Sequence, residues 1–285
     1  MAVSPDRLEA HVRMLAETFV PRDAAHPGML DRVADYVRAH FEAATDRVAD
    51  QPYRVGTTTY RNVCARFGPA DGPRIVVGAH YDAAGPYPGA DDNASGVAGL
   101  LELARRFGAH APPLELVAYP LEEPPFFGSR AMGSAVHARS LSERGVDVRA
   151  MLALEMIGYF VDAPNSQRFP LGLLRPFYPS TGNFIAVVGS LFGRRLVHTI
   201  RDAMRDASPL PVHSINAPRL LPGVGLSDHQ SYWNAGYPAV MITDTAFYRN
   251  PHYHLPTDTP DTLDYRRMAM VVEGVRAAVH ALAAA

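Results

Sequence analysis

The chain has 285 residues, 47% of them hydrophobic and 20% charged, with a formal net charge of -2. This is the profile of an ordinary globular protein long enough to bury a substantial core. It lacks the basic surplus that nucleic-acid binding draws on, and no segment approaches the ~18 apolar residues that span a membrane. The single cysteine, Cys64, excludes an internal disulfide and a thiolate-rich zinc site.

Asp6, Arg7 and Glu9 break the basic-then-apolar order of a signal peptide, so the N-terminus reads as that of a cytoplasmic protein. Leu8, Val12, Leu15 and Phe19 recur at helical spacing, as do Leu30, Val33, Val37 and Phe41. Two helices are therefore predicted within residues 1–45, packed on the rest of the domain. Beyond residue 50, short apolar runs alternate with helical patterns. Strands are predicted over 62–67, 74–79, 114–119, 151–156 and 238–243, and helices over 93–107, 128–140, 183–207 and 260–283. Cys64 lies in the first of these apolar runs and reads as a buried core thiol.

The run Ile75-Val76-Val77 is apolar at every position, which predicts a strand covered on both faces. The fold class implied is α/β: one domain over 1–285, with a mixed, mostly parallel central sheet and helices on both faces. The longest irregular stretches are 161–181 and 208–226, and loops of that length in a compact domain carry function or move.

Ligands of open α/β sheets bind beyond the carboxyl ends of the strands, and there the chemistry gathers. Strand 74–79 runs into His80-Tyr81-Asp82, strand 114–119 into Glu122-Glu123, and strand 151–156 contains Glu155. Strand 238–243 leads through Asp244 to His252-Tyr253-His254, and Asp91-Asp92-Asn93 opens a helix. Singly, each has a plain structural reading: a hydrogen-bonded histidine, a solvated glutamate corner, a helix cap. Gathered at one sheet edge, imidazoles and carboxylates without thiolates suit Zn²⁺, with Mn²⁺ or Co²⁺ as alternatives. Neighbouring side chains on a strand face opposite sides. Glu122 and Glu123 can therefore serve one centre only if the backbone turns there, and Pro124-Pro125 ends any strand.

As a set, these motifs resemble those of the co-catalytic double-zinc aminopeptidases, family twenty-eight of the metallopeptidases, which also includes the animal glutaminyl cyclases. The likeness covers roughly residues 60–265. It implies a single-domain zinc-exopeptidase fold and two zinc ions held by His80, Asp92, Glu123, Glu155 and His254. Asp92 is the bridge, by alignment on the closing Ser95-Gly96. It further implies Glu122 as general base, Tyr253 as oxyanion donor, and Asp82 orienting His80. Asp228 and His229 fall where the family places an Asp-His near the metals or the substrate. The activity implied is release of N-terminal residues from peptides with a free N-terminus, through a hydroxide between the metals, by a monomer.

Three departures stand out. Glu155 replaces the commoner aspartate and is one methylene longer. Pro124-Pro125-Phe126-Phe127 replaces the usual Gly-Leu after the glutamate pair. His252 lies two residues before His254 and competes with it as ligand; the tyrosine before His254 favours the latter. Phe160, Phe169, Phe177, Tyr178, Trp233, Phe247 and Tyr248 are candidates for an apolar side-chain pocket, whereas His110, His137, His198 and His280 read as structural. The rival functions are hydrolysis of another amide (a carboxypeptidase or deacylase), a glutaminyl cyclase, which the resemblance makes one-zinc and lacking His80, and a non-catalytic binding module.

Overall fold

A computed structural model describes residues 2–108 and 111–284. Two N-terminal helices, α1 (Pro5–Arg13) and α2 (Pro27–Glu42), precede the antiparallel hairpin β1 (Val48–Val55) and β2 (Thr58–Phe67). Next come β3 (Arg74–His80), α3 (Gly96–Phe107), β4 (Leu114–Tyr119), α4 (Gly133–Glu143), β5 (Val148–Glu155) and β6 (Ile185–Ser190). The chain ends through α5 (Arg194–Ala207), β7 (Val212–Ala217), α6 (His229–Asn234), β8 (Ala239–Thr243) and α7 (Tyr265–Ala284).

All eight strands form one sheet in the order β1-β2-β4-β3-β5-β8-β6-β7. Its centre, β4-β3-β5-β8, is parallel, so four carboxyl ends meet at one edge. The chain goes from β3 to one neighbour, β4, through α3. It then passes back to β5 on the other side of β3 through α4. This reversal opens a crevice at the end of β3, where His80 stands.

One face of the sheet is packed by α1, α2, α3, α5 and α7 around residues such as Leu8, Phe41, Leu103, Ile200 and Val275. The other carries α4 and α6, with Leu141, Tyr232 and Trp233 against Val117 and Met151. On that face, among the described residues, β6 and β7 have no α-helix over them. The irregular segments 161–181 and 218–226 cover them instead, which leaves a pocket between loop and sheet.

Several predicted elements need correction, among them the helices expected from residues 128 and 260, which begin at Gly133 and Tyr265. The helix expected over 183–207 is strand β6 followed by α5. Its first half, Ile185-Ala-Val-Val-Gly-Ser, is buried on both faces, and β-branched residues there suit a strand. Gly189 lets β6 lie directly against α5, since a Cβ there would be 2.3 Å from the Val197 side chain. The helix expected from residue 93 starts at Gly96, because Asp92 and Asn93 have non-helical dihedrals. Strands β1 and β7 are sheet edges with half-exposed, partly polar faces, so neither gives a clear apolar signal. Among the described residues, no helix is long and apolar enough to cross a membrane. His110 lies outside the described residues.

Candidate metal centre

The sheet edge brings the predicted ligands together. His80 ends β3 with its side chain fully buried. Glu155 ends β5, and Met156 at φ 51° turns the chain away immediately after it. Beyond β4, Leu121 adopts φ 64°, and this is the turn that adjacent glutamates require. Glu122 and Glu123 then donate their backbone N–H groups to the two carboxylate oxygens of Asp82, at 3.1 and 3.0 Å. Asp82 therefore aligns the glutamate pair as well as the imidazole, whose Nδ1 lies 3.2 Å from the Asp82 carbonyl.

Asp92 stands between two groups of side chains. Its Oδ1 is 3.3 Å from His80 Nε2, which is also 3.4 Å from Glu155 Oε2. Its Oδ2 is 3.1 Å from His254 Nε2, which is 3.3 Å from Glu123 Oε2. Four nitrogen or oxygen ligands about 2.0–2.1 Å from a tetrahedral ion sit roughly 3.3 Å apart, so the imidazole–carboxylate distances in both trios have the spacing of a metal shell, and one donor atom each of His80, Asp92 and Glu123 also lie within 4.8 Å of one another. His80 Nε2, Asp92 Oδ1 and Glu123 Oε1 are buried without any hydrogen-bond partner. Buried polar atoms are normally satisfied, and these three face a common space, so the donor set fits a pair of divalent cations. Glu122 Oε2 is 3.9 Å from His80 Nε2, just outside the ligand spacing.

The electrostatics are those of a crowded acidic site. Burial pulls the His80 pKa down, but Glu122, Glu155, Asp82 and Asp92 more than reverse this and hold it well above the usual value. For His254 the same opposition, with Asp92 and Glu123 as partners, leaves a pKa of about 10. Burial, with the Asp92 charge, pushes Glu123 up to about 7, although the imidazoles pull the other way. Glu122 is raised well above the carboxylate range by burial and by its neighbours Glu155 and Glu123, against the pull of His80.

The structure brings His254, and not His252, to Asp92 and Glu123. At φ 55° the backbone of His254 turns its ring inward. His252 Nδ1 instead pairs with Thr257 Oγ1 at 2.9 Å, and its ring meets Tyr159 edge-on. The Tyr253 ring stacks on His254 at 3.8 Å and borders the pocket. Asp228 is buried, and burial lifts its carboxyl to about 7, offset in part by the His80 charge. His229 is engaged elsewhere: Nε2 donates to the Val224 carbonyl at 2.8 Å, and the ring meets Trp233 edge-on.

Several supporting residues carry no signal in the sequence. Ser227 reads as a helix cap, yet α6 begins two residues later, and Ser227 Oγ donates to Glu155 Oε2 at 2.7 Å. Asp258 accepts the backbone N–H groups of Asp91 and Asp92, at 3.0 and 3.1 Å. Asp91, the neighbour of the bridge candidate, accepts from Gly158 N and Asn250 Nδ2 and so ties three loops together. A short polar side chain beside a loop leaves no periodic trace, so only the fold shows what it holds.

The pocket opens beside Glu155 and Tyr253. Its floor is one face of three strands: Thr243 and Met241 of β8, Ala186 and Val188 of β6, His213 and Ile215 of β7. Of the predicted aromatic candidates, Phe169, Tyr178, Phe247 and Tyr248 line it. Phe160 packs on the face that carries α3 and α7, Trp233 of α6 is buried on the pocket's own face with its Nε1 on the Ala239 carbonyl, and Phe177 is exposed. A second buried group, Cys64, Glu115 and His137, has its donor atoms close together. There Arg66 and Arg74 occupy the Glu115 carboxylate at 3.0 and 2.8 Å, and His137 Nδ1 pairs with the Tyr232 hydroxyl, so the cluster reads as a satisfied core network.

This parallel-centred sheet with paired imidazole–carboxylate shells is that of a metallopeptidase, and the chain belongs to Peptidase family M28, whose family model matches residues 62–279. It is 49% identical to the uncharacterized protein YfbL of Escherichia coli (strain K12) over 282 residues, covering 95% of this chain and 86% of that one. A probable leucine aminopeptidase 1 of Trichophyton verrucosum is 27% identical over 82% of this chain, which spans 63% of that relative's length. In fold, the LapA aminopeptidase of Legionella pneumophila superposes with a TM-score of 0.78 at 22% identity, covering 99% of this chain and 73% of that one. A glutaminyl cyclase of Fimbriiglobus ruber superposes with a TM-score of 0.76 at 23% identity, covering 99% and 96%.

Proposed function

We propose that the protein is a two-zinc aminopeptidase that removes apolar N-terminal residues from peptides. The observation that carries this reading is the pair of shells sharing Asp92, with an apolar pocket opening directly beside them. His80, Asp92 and Glu155 would hold one ion, and His254, Asp92 and Glu123 the other. When bound, the ions supply Lewis-acid polarisation of the scissile carbonyl and lower the pKa of a water.

Glu122 takes the proton of the attacking water and passes it to the leaving amine, which is why its carboxyl sits beside the shells without completing either. The Tyr253 hydroxyl has no hydrogen bond among the described residues and is free to donate to the developing oxyanion. Glu155 and Glu122, both acidic, suit a substrate's free α-ammonium nearby. His80 speaks against a cyclase, since the resemblance makes that branch one-zinc and lacking this histidine.

The pocket holds about 120 Å³ of free space between mostly apolar walls. An apolar cavity of about 150 Å³ accommodates a benzene ring, so this space, somewhat smaller but open at one side, is of the order of one medium-sized apolar side chain, with leucine, methionine and phenylalanine as the candidates. Initial rates on a series of aminoacyl amides are expected to favour these three over aspartate and lysine by at least tenfold in kcat/KM. Equal rates across the series would exclude the pocket as the source of specificity. Arg168, which lines the pocket, makes no ion pair among the described residues and suits a carboxylate. Arg168→Ala is expected to leave the leucyl substrate within about twofold; release of residues from free C-termini that is lost in this variant would favour a carboxypeptidase-like reading.

A further inference from the structure

Arg22 is among the largest fully buried side chains, with 1% of its surface exposed. A guanidinium so deeply buried costs several kcal/mol unless its donors are satisfied. No carboxylate lies within salt-bridge distance of Arg22 among the described residues. Its donors go to backbone carbonyls instead: Leu15 at 3.1 Å, and both Pro88 and Gly89. Pro88 and Gly89 begin the turn that presents Asp92. The Arg22 carbonyl in turn accepts from Ala83 N at 3.0 Å, just beyond the His80 strand.

The turn itself is tightly folded. Gly89 is left-handed at φ 56°, and a Cβ there would be 2.3 Å from the Asp92 carbonyl and 2.8 Å from Arg22 Nη2. The N–H groups of Asp91 and Asp92 are taken by Asp258, from the loop after His254. The carbonyls of Pro88 and Gly89 are taken by Arg22. One segment from each end of the chain thus grips the same turn, one by its donors and one by its acceptors.

We propose that Arg22 is a positioning residue for Asp92, so that the N-terminal segment, which lies before the family match at residues 62–279, is a working part of the metal centre. The inference rests on the two-zinc reading above. Its electrostatics and its geometry predict opposite signs. A fixed positive charge near the shells repels divalent ions, so its removal by itself would tighten zinc binding. A planar fork that sets the turn lowers zinc affinity when lost. Arg22→Lys separates the two, because it keeps the charge and loses the fork.

Zinc titration of the metal-free protein by isothermal calorimetry is the test, with Leu8→Ala as control. Leu8 is fully buried in the same N-terminal layer, and its apolar side chain makes no hydrogen bond to the turn that carries Asp92. Arg22→Lys, its fold checked by near-ultraviolet circular dichroism, is expected to lose about 10–100-fold in zinc affinity, the range for residues that orient metal ligands. Leu8→Ala is expected to melt earlier yet bind zinc as the wild type does. Affinity of Arg22→Lys within twofold of wild type, or an equal loss in Leu8→Ala, would overturn the assignment. A wild-type protein that binds no zinc would remove the two-zinc reading as well.

Discussion

Replacing Glu122 by glutamine is expected to lower kcat by about 10²–10⁴-fold, the usual contribution of a positioned general base, without changing how much zinc the protein binds. The separation of the two effects comes from position. Glu122 Oε2 stands 3.9 Å from His80 Nε2, whereas the ligand atoms of the shells lie 3.1–3.4 Å apart. The amide keeps the shape of the side chain and its backbone bond to Asp82, so the turn that also carries Glu123 is preserved. What is lost is proton uptake. Because an amide cannot accept the proton at any pH in the working range, raising the pH is expected not to restore the rate. Kinetics beside metal analysis of the same sample checks this, and a variant that loses zinc in step with activity would make Glu122 a ligand.

Asp92→Ala is expected to have the larger effect on metal binding. A bound structural zinc is worth about 10–16 kcal/mol over its ligands, or roughly 3 kcal/mol for each of four, about a hundredfold in affinity. Asp92 reaches both imidazoles, one through each oxygen, so its loss weakens both sites together. Glu155→Ala or Glu123→Ala should weaken one site and spare the other, because each meets a single histidine at ligand spacing. Zinc titrations of the three variants distinguish a shared carboxylate from two independent ones. Retention of one full-affinity site in Asp92→Ala would contradict the bridge.

Sequence patterning reached the central strands and the outer helices because burial on both faces leaves near-continuous apolar runs, as in β3 and β4. It failed at β6, where an apolar strand, a three-residue turn and an amphipathic helix together mimic one long helix. It also failed at the edge strand β1, where Pro52 and alternating exposure weaken the signal. The candidate ligands were legible since they cluster at strand ends and fall in a motif order. The residues that hold them were not. Ser227, Asp258, Asn250 and Arg22 act through one or a few hydrogen bonds to a ligand or its loop, from positions 22 to 258, and no local pattern distinguishes them from caps or surface groups. The choice between His252 and His254 likewise depended on one backbone turn, the positive φ of His254.

Aminopeptidase activity is tested most directly by mass spectrometry of a mixed peptide set, with free and with acetylated N-termini, incubated with zinc-loaded protein and with Glu122→Gln. Stepwise loss of apolar residues is expected from free N-termini only, abolished in the variant. Release of C-terminal residues, or removal of the acetyl group, would contradict the aminopeptidase reading.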